Sequence, residues 1–372
     1  MRRRIAVVGS GPAGLAFARV LHRHGHPVTV LERDTAPDAR SQGGTLDLHE
    51  GLGQRALDKA GLLAEFRALS RPEGQAMRIL DPDGTVLRDW RPRPDDRANP
   101  EIDRGQLRDL LLGPLDVQWG REVTQVVPGN GDGVRVRCAD GRQETFDLVV
   151  GADGAWSRVR PAVSQVSPRY TGVTMVETSL DDVDTAHPDL ARLVGDGSPG
   201  RVRREPRSRC PAQQRRPPQG LRAVPRTAGP AGDGGPGRRR DRAIGSVGPL
   251  RRLGRSGPRP PPPRHRFRPA PAPRPARLPH LAPCPRGDPA GRRRPSDAPA
   301  GAGANLALLE GAELAEAVAA GPADPDDAVR AFEERMWARA GRWAQLTTAG
   351  LERLVSADPA EALALFDQVQ PS

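Results

Sequence analysis

The chain has 372 residues with 57 lysines plus arginines against 46 acidic residues, a net charge of +11, and its length sets a prior of about two domains. Between Pro199 and Ala300 stand 26 arginines against 5 acids, a net +21, so the rest of the chain carries −10. The basic balance therefore belongs to one segment, and the remainder reads as an ordinary acidic protein with no call for specific nucleic acid. Three scattered cysteines (Cys138, Cys210, Cys284) without Cys-x-x-Cys or His-x-x-x-His partners exclude a disulfide framework and a zinc site; no metal is expected.

Ile5 to Val8 is a short apolar run fit for a buried parallel strand, and Gly9-Ser-Gly11-Pro-Ala13-Gly14 follows as a tight turn into a helix. Gly9 makes the turn, Gly11 lets backbone approach a pyrophosphate, and Gly14 lets the helix lie on the strand. Leu15, Ala16, Val20 and Leu21 give the helix an apolar stripe that ends at His24-Gly25-His26, and Val28 to Leu31 reads as the second strand. Glu32 falls about 20 residues after the glycines, where a carboxylate accepts both hydroxyls of an adenosine ribose. This βαβ reading displaces a signal peptide as the meaning of Met1-Arg-Arg-Arg and the apolar stretch after it. No run approaches a membrane span. The motif alone leaves FAD and NAD(P) open.

Downstream, Gly43 to His49 suggests backbone passing close to something and then a short strand or turn. Gly51 to Leu69 has one helical period, with Leu52, Ala56, Ala60, Leu63 and Phe66 toward a core. Met77 to Leu87 forms a hairpin around Asp81-Pro-Asp-Gly84, and Leu107, Leu110 and Leu111 mark an amphipathic helix. Strands are predicted at Val123 to Val127, Val134 to Cys138 and Phe146 to Val150. The last runs into Gly151-Ala-Asp153-Gly154 and Ser157-x-x-Arg160, which places a carboxylate at the carboxyl end of a strand beside the nucleotide crevice. A nicotinamide dehydrogenase does not need that second motif, whereas flavoproteins of the two-dinucleotide hydroxylase class characteristically carry it.

Glu32-Arg33-Asp34, Ala39-Arg40, Gly43-Gly-Thr-Leu-Asp47-Leu-His49, Gly53-Gln54, Lys59-Ala-Gly-Leu-Leu63 and Asn99-Pro-Glu-Ile-Asp-Arg104 resemble the tetracycline-inactivating flavin monooxygenases. Those belong to the para-hydroxybenzoate hydroxylase class of FAD-dependent aromatic-ring hydroxylases. The resemblance covers Ile5 to about Val194 and again Gly303 to about Phe366. It implies an α/β fold: a Rossmann-like FAD-binding domain of the glutathione-reductase type with a helical C-terminal part. It further implies that Arg40 meets the nicotinamide cofactor and that Asp47 and Arg104 contact FAD. With Gly9, Gly11, Ala13, Gly14, Glu32, Arg33, Asp153 and Gly154, and with Gly303 and Asn305 in a helix start against the flavin, these form the expected cofactor-binding set. FAD is the expected cofactor, NADPH or NADH the co-substrate. No catalytic side chain is named, because the cofactor carries the chemistry.

From Pro199 to Ala300 the sequence is rich in proline and arginine, has Phe267 as its one aromatic residue, shows neither helical nor strand period, and by composition reads as disordered. The family places its substrate sheet and a Gly-Asp-Ala-Ala-His-x-Met-Pro-Pro motif in this interval. Ala290 to Pro299 can be encoded so that a start one base later reads Leu-Gly-Asp-Ala-Ala-His-Pro-Met-Pro-Pro. We therefore read 199–300 as a shifted frame in place of most of the substrate sheet, between an FAD-binding part (1–170) with the start of a substrate domain (171–198) and a C-terminal part (301–372). There, Asp326 to Leu354 reads as a long amphipathic helix with Val329, Phe332, Met336, Trp343 and Leu346 toward a core and Trp337 as packing; Ala360 to Phe366 is a last helix.

The sequence thus predicts a cytoplasmic FAD-dependent, NAD(P)H-using monooxygenase of an aromatic or polyketide-like small molecule, impaired in this chain and read as monomeric. The alternatives are a non-catalytic nucleotide-binding remnant and an arginine-rich nucleic-acid binder, the latter disfavoured by the missing aromatics.

Overall fold

The computed structural model describes residues 3–40, 42–81, 83–129, 133–168, 174–180, 182–201, 219–225, 302–321, 325–354 and 359–369. In chain order they form β1 (Ile5–Val8), α1 (Pro12–Arg23), β2 (Thr29–Leu31), β3 (Thr45–Asp47), a π-helical turn (Glu50–Gln54), α2 (Arg55–Ala60), α3 (Leu63–Leu69), β4 (Met77–Leu80), β5 (Val86–Trp90), β6 (Glu101–Asp103) and α4 (Arg104–Leu112). There follow β7 (Val117–Gln118), β8 (Val123–Pro128), β9 (Val134–Cys138), β10 (Gln143–Phe146), β11 (Leu148–Gly151), β12 (Thr174–Leu180), α5 (Val183–Ala186), α6 (Pro188–Val194), β13 (Ser198–Arg201), β14 (Gln219–Pro225), α7 (Ala302–Ala319), α8 (Pro325–Leu354) and α9 (Pro359–Val369).

β1 is apolar throughout because both its faces are covered. It lies inside a parallel sheet of order β11-β1-β2-β7, with Val7 level with Val150 on one side and Val30 on the other. Successive strand residues point to opposite faces. Ile5 and Val7 join the core built by α1 and α7, whereas Ala6 and Val8 join Val126, Val136 and Phe146 from a three-stranded antiparallel sheet of order β10-β9-β8. The result is three layers: helices, parallel sheet, antiparallel sheet. On the helical side Gly311 of α7 lies so close to α1 that a Cβ there would strike the carbonyl oxygen of Ala13, so the two helices share an unusually tight seam.

Several expectations change in detail. Phe146 to Val150 is two strands: Asp147 turns the chain from one sheet to the other, its carboxylate accepting a hydrogen bond from Arg4 N at 2.7 Å. Gly51 to Leu69 is not one helix: the π-helical turn runs straight into α2, and Gly61, in a left-handed conformation (φ +70°), separates α2 from α3. Leu346 and Trp337 are exposed, at 52% and 45%, on the solvent side of turns of α8 whose opposite face buries Met336, Ala344 and Thr347. β13 and β14 fall inside the segment read as lacking strand period; they are held by parallel ladders to β4 and β12, and backbone hydrogen bonds need no side-chain alternation. Residues 202–218 and 226–301, on which the rest of that reading falls, lie outside the described residues. Among the described residues no helix is long and apolar enough to cross a membrane.

Candidate nucleotide-binding site

The site is built where β1 and β11 end beside the start of α1. Gly9 has φ +102°, and a Cβ there would sit 2.5 Å from the Ala152 carbonyl oxygen; a Cβ on Gly14 would strike the Gly9 carbonyl and lie 3.1 Å from Ala152 Cβ. Protein packing thus accounts for both glycines. It does not account for Gly11, whose nearest such contact is 4.0 Å away, so the space above Gly11 is left for something else. Gly11 is also the N-cap of α1, with no side-chain cap and no acidic residue in the first turn. The N–H groups of Ala13 and Gly14 belong to that uncapped turn, where an anion is favoured.

Glu32, at the end of β2, is 5% exposed. Its Oε2 accepts from Ser10 N at 2.7 Å and from Ser10 Oγ at 2.8 Å, and its Oε1 accepts from Asp34 N at 3.0 Å. A carboxylate offers about four acceptor positions, so three are occupied within the protein and one remains, on Oε1. Glu32 can take one ribose hydroxyl without losing an internal bond, where the sequence suggested two. Arg33 beside it is exposed. Arg40 donates from Nε to Asp34 Oδ2 at 2.7 Å, with its side chain 56% exposed.

Asp153 follows β11. Its Oδ2 accepts from Arg158 N at 2.6 Å, while Oδ1 is buried and has no hydrogen-bond partner. A buried acceptor left open is costly unless a ligand completes it. Gly154 takes φ +79°, and Arg160 donates to the carbonyl of Ala155 at 2.7 Å, bracing the loop; burial holds its guanidinium below the usual arginine range despite Asp153 nearby.

A second cluster joins distant parts of the chain. Asn305, fully buried near the start of α7, accepts on Oδ1 from His49 N (2.8 Å) and Gly53 N (3.1 Å) and donates from Nδ2 to the Asp47 carbonyl (2.8 Å). Its amide is thus bonded to the 47–53 backbone. Gly303 precedes it in the first turn of α7. The Asp47 carboxylate is bonded to His49 Nε2 at 3.1 Å, and Arg104 donates from N to Gly44 O (3.1 Å) and from Nε to Thr45 O (3.3 Å). Gly9, Gly11, Ala13, Gly14, Glu32 and Asp153 therefore surround one crevice, while Asp47, Arg104 and Asn305 fix the backbone of a neighbouring loop.

Residues 2–226 match the family model described as FAD binding domain. The chain belongs to that family. Among similar proteins, Monooxygenase penA of Penicillium thymicola is 36% identical over 211 residues, 52% of this chain and 48% of penA. The chain spans about half the length of the curated relatives it matches. Among solved structures, tetracycline destructase Tet(51) is 29% identical over 44% of this chain and 42% of its own, with a TM-score of 0.36. A variant of HpxO from Klebsiella pneumoniae, solved with FAD, aligns over 99% of this chain and 94% of its own with a TM-score of 0.60 at 14% identity, a likeness of fold. These findings give the chain an FAD-binding domain and the flavoprotein fold that goes with it.

FAD is the cofactor of this family, and the crevice fits it: an open space over Gly11, an uncapped helix start, one free acceptor on Glu32 and an orphaned one on Asp153. Two residues bonded into this cluster were not singled out in the sequence, Ser10 and Arg108. Ser10 is only the variable residue of the glycine motif, and Arg108, unremarked on a helix marked by its leucines, is 8% exposed.

Proposed function

We propose that this chain derives from an FAD-dependent monooxygenase that uses NAD(P)H and O2 to hydroxylate a small aromatic or polyketide-like molecule, and that hydroxylation is impaired in the chain as it stands. The observation that carries the reading is the crevice itself: Glu32 Oε1, Gly11 and the start of α1 stand in the order that an ADP-ribose requires. Glu32 holds the ribose, the N–H groups of Ala13 and Gly14 receive the pyrophosphate, and Asp153 Oδ1 accepts from the cofactor's polar middle. Asp47, Arg104, Gly303 and Asn305 shape the loop and helix start beside the ring, and Arg40 receives the nicotinamide cofactor. When bound, FAD supplies the redox chemistry that splits O2 between substrate and water; the protein's part is to orient the reactants and keep water out.

The impairment is argued from the sequence. The Gly-Asp-Ala-Ala-His motif that the family resemblance leads one to expect occurs nowhere in the chain; Asp288 stands in Arg-Gly-Asp-Pro-Ala instead. With that contact and most of the covering sheet lacking, electrons from NAD(P)H are expected to reach O2 unproductively and leave as hydrogen peroxide.

Two measurements test this. Glu32→Ala is expected to weaken FAD binding by about 1.5–3 kcal/mol, the worth of a hydrogen bond to a charged group; FAD titration showing no change removes the ribose assignment. For the whole reading, NADPH consumption, peroxide release and hydroxylated product are compared between this chain and a version restored to the other frame between Ser198 and Ala300. We expect peroxide from the first and product from the second. Coupled hydroxylation by the unrestored chain overturns the impairment.

A further inference from the structure

We propose that Arg108 is a positioning residue for the nucleotide crevice, setting which oxygen of Glu32 is offered to the ligand; this rests on the reading of Glu32 as the ribose acceptor. Arg108 reaches from α4 into the floor of the site with its side chain 8% exposed. Its Nη1 donates to the Pro37 carbonyl at 2.9 Å, and its Nη2 donates to Ser10 Oγ at 3.2 Å and lies 3.7 Å from Asp34 Oδ2. Its guanidinium stands 5.3 Å from the ring centre of Trp119, a cation–π distance. An arginine has donors and no acceptor. Ser10 Oγ therefore accepts from Arg108, and its single proton is directed to the other partner, Glu32 Oε2, at 2.8 Å.

That direction matters because a serine hydroxyl is otherwise free to turn. With Arg108 in place, Oε2 of Glu32 is held by two donors, and Oε1, held by Asp34 N alone, is the oxygen with room for a ligand hydroxyl. Arg108 also ties both sides of the crevice together, Ser10 from the glycine turn and Pro37 and Asp34 from the loop after β2. It balances the negative charge of Glu32 and Asp34 where little water reaches. The ligand class it serves is a nucleotide with a free ribose diol, read through one acceptor oxygen.

The test is a double-mutant cycle on the full-length chain with ADP-ribose as probe, each affinity normalised to the folded fraction from circular dichroism. The variants are Arg108→Met, Ser10→Ala, the pair together, and Glu32→Gln as a reference. Arg108→Met is expected to weaken ADP-ribose binding about tenfold, one charge-assisted hydrogen bond's worth, and to cost less than about twofold once Ser10 is alanine, because the two act as a unit. Arg108→Lys, which keeps charge without the planar fork, is expected to restore little. Unchanged binding in Arg108→Met, full additivity with Ser10→Ala, or full rescue by lysine overturns the proposal. Should Arg108→Met not fold, Arg108→Lys on the two backgrounds gives the same cycle. Absence of ADP-ribose binding by the parent chain, or undiminished binding by Glu32→Gln, removes the nucleotide reading itself; weakened Glu32→Gln beside unaffected Arg108 variants removes the role of Arg108 alone.

Discussion

Gly9→Ala and Gly11→Ala are expected to fail in different ways. At Gly9 the added methyl would lie 2.5 Å from the Ala152 carbonyl oxygen and 2.8 Å from its carbon, on a backbone at φ +102°. Neither neighbour is the tip of a flexible side chain; both belong to the chain leaving β11, which must move away from β1. Steric overlap and left-handed strain together place the loss at about 3–5 kcal/mol, a large part of a domain's whole stability. Gly11→Ala meets nothing closer than 4.0 Å and is expected to leave the unfolding free energy from urea titration within about 0.5 kcal/mol of the parent while weakening FAD binding. Urea titration and FAD titration of the two variants separate packing from ligand space. Equal destabilisation by both variants would show that the opening above Gly11 is filled by protein.

Glu310→Leu is expected to stabilise the protein at neutral pH. Glu310 lies in α7 at 2% exposure with neither carboxylate oxygen hydrogen-bonded. Burial raises its pKa to about 8, with Arg339 opposing the rise and Glu313 adding to it. Arg339 is not its hydrogen-bond partner, since it donates to Glu313 Oε2 at 2.9 Å. The folded state thus keeps a proton that the unfolded chain releases above its ordinary value of 4.5. This contribution to stability is fully present below pH 4.5 and declines by about 1.4 kcal/mol per pH unit between the two values. It levels off above about pH 8. At pH 7 the cost of holding the proton is on the order of 3 kcal/mol. Leucine removes that cost, so unfolding free energies between pH 5 and 8 should lose this slope and exceed those of the parent at pH 7. A variant with the parent's slope would mean that Glu310 ionises freely in the fold.

The βαβ frame of the proposed nucleotide site was legible because its signals are local. Ile5 to Glu32 is one βαβ unit whose glycines, apolar stripe and terminal acid fall at fixed spacings, and β1, β2 and β11 share one sheet. The switch of sheets at Asp147 was not legible, since Phe146 and Leu148 are both buried, against different layers. Nor was the role of the Asn305 amide: its partners His49 and Gly53 lie 256 and 252 residues away, and a resemblance that places an asparagine near a cofactor does not say which groups its amide serves. Arg108 was passed over for a related reason, because an arginine on a helix is ordinarily a solvated charge.

The tight seam between α1 and α7 also sets the order in which the protein can be completed during synthesis. α1 leaves the ribosome well before its covering helix, which begins only at Ala302. At about 5–20 residues per second, the intervening chain takes on the order of 15–60 s to emerge. Throughout that interval the Ala13 and Gly14 side of the glycine turn lacks the helix that packs against it, and the 47–53 loop lacks Asn305. A nascent chain therefore presents the apolar face of α1 long before α7 can cover it, and such transiently exposed apolar surface is what promotes aggregation during synthesis.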